Sequence, residues 1–270
     1  MKTYKLKISD ALHVDSSAGN LLKWTINENN KTIFIKTSTY NSYNNIWLYE
    51  SYSEIINCRL FKELGIKNTL MYYPCKIMLD NGEITLGCYS YSFLKEDETY
   101  ISLAHLHKIG KLQNYMFTGI DGYKQCISDV KTVLNIDYTN ELNKIIILDY
   151  LVLNEDRHTG NFGFIYNYRT NKFKIAPIFD NGNSLFSLKN IEGMSYTQKL
   201  DNYVKSKPFY YKHEMQLNML NTKIKLNHNI EGTLQYIEEL NKLGLDTQRI
   251  EFIKTLLITR LHMLLERNKL

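Results

Sequence analysis

The apolar and polar positions of this chain change rhythm about a third of the way along. Residues 21–27 and 32–37 are short β-type runs separated by Glu28-Asn29-Asn30-Lys31, a spacing that predicts a hairpin. Residues 75–79 and 83–92 flank Asp80-Asn81-Gly82, where Asn and Gly suit the positive φ of a tight turn, so a second hairpin is expected. Between them Ile55, Ile56, Leu60, Phe61 and Leu64 recur at helical spacing, with Gly65 placed to end the helix. From about residue 99 the pattern is mostly helical. Residues 140–153 are apolar nearly all round and predict a helix inside a domain. Ile250, Ile253, Leu257, Leu261 and Leu264 fall in register and predict a closing helix over residues 247–267.

This order predicts an α+β chain: a small antiparallel sheet with one helix, hinged to a larger, mostly helical lobe. The apolar run ending at Phe93 gives way to Lys95-Glu96-Asp97-Glu98, which puts the boundary within residues 93–98 and the lobes at 1–94 and 95–270. No internal repeat, low-complexity tract or Pro/Gly-rich linker interrupts either part. At 270 residues and 44% apolar content, two lobes can each bury a core.

Charge narrows the classes of partner. The formal net charge of +5 is scattered, with no run of five Lys/Arg to form a nucleic-acid arm, so no nucleic-acid partner is expected. Cys58, Cys75, Cys88 and Cys126 lack zinc or redox spacing and read as reduced thiols. The N-terminus has no apolar signal segment, and the apolar run 145–153 is short and interrupted by Asp149. A cytoplasmic protein without a membrane span is the expectation.

Residues 154–182, NEDRHTGNFGFIYNYRTNKFKIAPIFDNG, carry the chemistry. Asp156 is followed five positions on by Asn161, and after an expected strand, turn and strand by Asp180. Phosphoryl transfer needs one carboxylate to orient or deprotonate a hydroxyl, and an Asn and a second Asp to hold Mg²⁺ on nucleotide phosphates. Oxygen ligands suit that hard cation. Asp156 is the candidate base, with His158 as either an alternative proton acceptor or a holder of the loop. Arg157 either anchors a carbonyl or acidic group or faces solvent. Asn161 and Asp180 are the candidate metal pair, and Asn181-Gly182 supplies the turn after Asp180.

The block DRHTGNFGF followed by APIFDNG resembles the signature of HipA-like kinases, a bacterial branch of the protein-kinase-like superfamily that shares its DRHxxN element with phosphatidylinositol kinases. The resemblance extends over roughly residues 16–185 and implies a bilobal protein-kinase-like fold using ATP and Mg²⁺. HipA toxins carry an extra N-terminal subdomain, and the residues before position 16 are too few to build it, which sets a toxin role apart from kinase activity.

In this context Lys36, at the end of the run Thr32-Ile33-Phe34-Ile35-Lys36, matches the strand lysine that grips α- and β-phosphates. Its expected partner is Glu54. However, Ser51-Tyr52-Ser53-Glu54 also fits a capping box, which would turn Glu54 back on its own helix and leave Glu50 for Lys36. Residues 16–20, with Ser16, Ser17 and Gly19, stand where a loop covering phosphates is expected. By the resemblance, Ser16 and Ser17 are candidate autophosphorylation sites, where added charge would inhibit. Ser92, Phe93 and Leu94 would meet adenine. The expected activity is transfer to a protein Ser/Thr hydroxyl. The alternatives are a phosphoinositide or small-molecule acceptor on the same site, and a nucleotide-binding pseudokinase acting as an interaction module. Residues 186–246 hold no motif but are the expected place for substrate recognition.

Overall fold

The structure is a computed structural model describing residues 1–16, 19–109, 118–221 and 223–267. Its first half is a curled sheet of β1 (Lys2–Leu6), β2 (Leu12–Ser16), β3 (Gly19–Glu28), β4 (Lys31–Thr37), β5 (Tyr40–Asn41), β6 (Ile46–Trp47), β7 (Tyr73–Leu79) and β8 (Ile84–Tyr91). The order is β1-β7-β8-β4-β3-β5-β6, with β2 also paired to β3. Both expected hairpins form. Asn29 and Asn30 take φ of 52° and 60° in the β3–β4 turn, as short polar side chains tolerate. One strand departs from the antiparallel expectation: β1 lies parallel to β7 at the sheet edge.

The helix α1 (Glu50–Glu63) crosses the sheet and stops at Gly65, whose φ is 90°. The N–H of Gly65 bonds to the carbonyl of Lys62 and that of Ile66 to Phe61, a Schellman motif. α1 starts five residues before the apolar spacing suggests. Glu50, Ser51, Ser53 and Glu54 are buried in its first turns, so the capping-box reading of Ser51 to Glu54 falls: Glu54 lies inside the helix.

A three-stranded sheet, β11-β10-β9, follows: β9 (Glu98–Ser102), β10 (Gly163–Asn167) and β11 (Lys172–Ile175). β9 is an exception to the mostly helical pattern expected from about residue 99. It forms because it lies in register against β10, a long-range pairing invisible to local periodicity. Gly163 has no room for a side chain, since a Cβ there would stand 2.3 Å from the Ile101 carbonyl oxygen. The helices are α2 (Leu103–Ile109), α3 (Gly119–Leu134), α4 (Thr139–Val152), α5 (His213–Asn218), α6 (Glu231–Glu239) and α7 (Thr247–Glu266). α4 and α7 match the two expected long helices. α4 packs against α5 and α7 at the centre of the large core.

α1 joins the two halves. Ile55 and Cys58 pack with Tyr72 and Cys88 beneath the sheet, while Ile56, Leu60, Phe61 and Leu64 belong to the helical core. At its end, Glu63 accepts the N–H groups of Gly232 (2.8 Å) and Thr233 (2.7 Å) and so caps α6. Tyr52 donates to the Leu243 carbonyl at 2.7 Å. Among the described residues no helix is long and apolar enough to cross a membrane.

Candidate active site

Strand alternation aims Lys36 into the space between the halves. Ile33 and Ile35 point into the sheet core, so Phe34 and Lys36 face the cleft. Lys36 Nζ meets Glu54 Oε1 directly and stands 3.0 Å from Asp180 Oδ1. The second Glu54 oxygen accepts the Asn181 N–H at 2.9 Å. Glu50 does not serve Lys36; it accepts the N–H of Thr39 at 3.1 Å and the Thr39 hydroxyl, holding the segment after β4.

The electrostatics follow from this clustering. Burial alone would lower the Lys36 pKa, but Asp180 and Glu54 outweigh it and hold the ammonium well above its ordinary value. The Lys36 ammonium holds the Asp180 carboxyl far below the usual carboxylate range, against burial. Burial pushes Glu54 upward, opposed by Lys36. Asp180 adopts φ of 56°, a left-handed conformation that a short polar side chain tolerates, and its N–H reaches the Tyr72 hydroxyl at 3.3 Å. Gly182 lets α1 come close, since a Cβ there would lie 3.3 Å from both Glu50 Cβ and Glu54 Oε1.

Arg157 is a core residue. Fully buried, it bonds Asp149 of α4 through Nε (2.9 Å) and Nη2 (3.0 Å), and its Nη1 donates to the carbonyls of Asn161 (3.2 Å) and Phe179 (2.8 Å). It also reaches the Asn181 side chain. One guanidinium thus fastens the loop holding Asp156 to the loop holding Asp180. Asp149, which in the sequence only interrupts an apolar run, is the anchor of both.

Asp156 stays outside, 42% exposed, with Lys207 Nζ 2.7 Å from its Oδ1. His158 is half-exposed. Its Nδ1 accepts the Gly160 N–H at 3.1 Å, and its Nε2 lies 4.0 Å from Asp156 Oδ2. This geometry is that of a residue shaping the loop. Asn161 spends its Nδ2 on the Asp156 carbonyl at 3.1 Å, leaving its amide oxygen as the acceptor.

Two cavities meet here. One of about 440 Å³ is walled by Trp24, Phe34, Phe93, Tyr100 and Phe179, with Lys36 and Asp180 at one end. Phe93 packs on Phe179 at 5.6 Å between ring centres. Beside it Ser92 donates its N–H to Thr32 at 2.9 Å and accepts the Leu94 N–H at 3.1 Å through its hydroxyl, fixing the turn between the halves. A flat apolar slot with a cation at its end suits an aromatic base carrying phosphates. The second cavity, about 130 Å³, holds Lys23, Lys36, Asp156, Asn161 and Asp180. A larger one of about 530 Å³ beside Tyr49 and Arg249 contains none of the candidate residues, so volume alone does not mark the site.

Lys23 escaped the sequence reading. It lies directly opposite Lys36 on β3, so both ammonium groups share the cleft face, and the signal was the register of the first hairpin. Ser17 lies outside the described residues. Ser16 and Gly19 are described as the backbone pair at the turn end of β2 and β3.

This arrangement, a curled sheet with one buried helix over a helical half and a slot between them, is the bilobal protein-kinase-like fold. The crystal structure of the Helicobacter pylori proinflammatory kinase CtkA has that fold: it matches with a TM-score of 0.67 over 98% of this chain and 97% of its own, at 16% identity. In sequence the chain is 32% identical over 139 residues to the serine/threonine-protein kinase CtkA of Helicobacter pylori; the aligned segment is 50% of this chain but only 40% of that protein. The HipA structure of Shewanella oneidensis MR-1 matches with a TM-score of 0.46 at 13% identity, over 94% of this chain and 57% of its own. No known protein-family profile matches the chain.

Proposed function

We propose that this protein is an ATP- and Mg²⁺-dependent kinase that phosphorylates a Ser/Thr hydroxyl of a protein, with residues 1–94 as the nucleotide lobe and 95–270 as the catalytic lobe. One observation carries the proposal: Lys36, Asp156, Asn161 and Asp180, from three separate segments, line one small cavity at the end of an aromatic slot. The protein acceptor is favoured by the likeness to a serine/threonine-protein kinase.

Each residue then has a role. The aromatic slot takes adenine beside Ser92, Phe93 and Leu94, and Lys36, oriented by Glu54, grips the α- and β-phosphates. Asn161 Oδ1 and ionised Asp180 form a hard oxygen pair suited to Mg²⁺. Among the described residues no group of three or more His, Cys, Asp or Glu could hold a metal alone, so the remaining ligands would be phosphate and water oxygens. When bound, Mg²⁺ neutralises the phosphate charge. Asp156 accepts the proton of the attacking hydroxyl, and His158 maintains the loop. Residues 16–20 cover the phosphates, and phosphate on Ser16 or Ser17 would compete for that space. A cytoplasmic location suits four free, buried cysteines.

Incubation with γ-labelled ATP and Mg²⁺, followed by mass spectrometry of the protein and added protein acceptors, tests this. Wild type should transfer label to Ser or Thr, and Asp156→Asn should not. Heat stabilisation of wild type by Mg·ATP without any transfer would make the protein a nucleotide binder and sink the kinase proposal.

A further inference from the structure

We propose that Lys207 is a catalytic residue of this site, its ammonium donating to the γ-phosphoryl group during transfer while held on Asp156; this rests on the kinase function proposed above. The charge balance motivates it. Phosphoryl transfer is accelerated by a cation aimed at the equatorial oxygens of the moving group. Arg157, the cation beside Asp156 in sequence, is buried, paired with Asp149 and bonded to the carbonyls of Asn161 and Phe179. Lys36 is committed to Glu54 and Asp180. At the acceptor end, Lys207 stands 2.7 Å from Asp156, donated by a segment 51 residues downstream.

That segment is built to hold it there. Ser206 and Phe209 are buried on either side, and the Ser206 N–H bonds the Tyr211 carbonyl at 2.8 Å. Buried Gln216 of α5 donates to the Lys207 carbonyl at 2.8 Å and accepts the Phe209 N–H at 3.2 Å. One residue before Asp156, Glu155 accepts the Lys205 N–H at 3.1 Å and pairs with Lys189 at 2.9 Å. Residues 155–156 and 205–207 are therefore fastened at adjacent positions. The Lys207–Asp156 pair itself is half-exposed on both sides, and such pairs contribute about 0–1 kcal/mol to stability. So much fixed backbone beneath so weak a pair points to function.

In the step, the acceptor oxygen forms its bond to the γ-phosphorus as the bond from phosphorus to the β,γ-bridging oxygen breaks. ADP leaves with that electron pair, and the hydroxyl proton passes to Asp156. Lys207 remains protonated, with one N–H on the γ-phosphoryl oxygen and another on Asp156.

The test uses the full chain with Mg·ATP and whichever acceptor it labels, itself included. Lys207→Met should lower kcat about 10²-fold, the scale of losing one donor to the transition state, with KM for ATP and stabilisation by Mg·ADP within twofold. Its melting temperature should stay within about 2 °C of wild type. Lys207→Arg should recover at least a tenth of the rate. Adding Lys207→Met to Asp156→Asn should lower the residual rate further. No further loss would mean that Lys207 acts only through the carboxylate, which overturns the catalytic assignment. Unchanged or faster turnover of Lys207→Met, in a protein that Asp156→Asn disables, overturns it while leaving the kinase proposal standing. A wild type that binds Mg·ATP but transfers nothing overturns both.

Discussion

Glu54 holds Lys36 with one carboxylate oxygen and the backbone of Asn181 with the other, at 2.9 Å, so the strand lysine and the loop carrying Asp180 are set by the same side chain. Glu54→Gln and Lys36→Met should each lower turnover about 10²-fold. Because the two act as a unit, the double variant should be little slower than either alone. Steady-state kinetics of the cycle decide it: additive losses would separate Glu54 from the function of Lys36.

Asp156→Asn should lower transfer by about 10²-fold or more, the usual contribution of a general base, with nucleotide binding intact. His158→Ala should cost less than about tenfold, since its ring nitrogen accepts from Gly160 and shapes the loop. Reversal of that order in single-turnover rates would make His158 the base.

Removing the metal pair should show in binding. Asp180→Ala, and less severely Asn161→Ala, should reduce stabilisation by Mg·ATP in a thermal-shift titration, each deleting an oxygen ligand. Stabilisation by nucleotide in EDTA should be weak for all three proteins. Equal Mg·ATP shifts in wild type and Asp180→Ala would remove Asp180 as a ligand.

Lys23 yields a prediction of two signs. Like charges directly opposite on a sheet repel, so Lys23→Met should leave the ligand-free protein as stable as wild type or slightly more so. The same change should weaken ATP binding about tenfold, the scale of one hydrogen bond to a charged group. Calorimetric titration beside a melting curve reads both, and undiminished affinity would place Lys23 outside the phosphate site.

Arg157→Met should cost about 3–5 kcal/mol in chemical denaturation, because it strands Asp149 buried and unpaired. Arg157→Lys should recover little, since one ammonium cannot replace contacts to Asp149, Asn161 and Phe179 together. A loss below about 1 kcal/mol would contradict the anchoring role, being no more than an exposed pair contributes.

That Asp156, Asn161 and Asp180 share one cavity could be anticipated because they are close in sequence and chemically distinct, and need only be read in order. Both hairpins, α4 and α7 were legible from spacing and turn residues. The first turns of α1 were not, because polar Glu50, Ser51, Ser53 and Glu54 are buried, and polar residues ordinarily mark the outside of a helix. The side chains of Glu50, Ser53 and Glu54 are met by partners outside the helix: Glu50 by Thr39, Ser53 by Ser184 and Glu54 by Asn181. Lys23 and Lys207 owe their positions to strand register and to a distant loop, neither of which leaves a local pattern. β9 is short and gains its form from β10.

The anchoring of α1 at both ends bears on how activity could be controlled. Swinging this helix outward to part Glu54 from Lys36 would uncap α6 at Glu63 and strip Ile56, Leu60 and Phe61 from the helical core. The helix works as an axle fixed to the larger lobe, and separating the ion pair it carries means breaking those contacts. For the proposed kinase, such an axle leaves the traffic of nucleotide and acceptor through the mouth of the cleft as the point where control costs least.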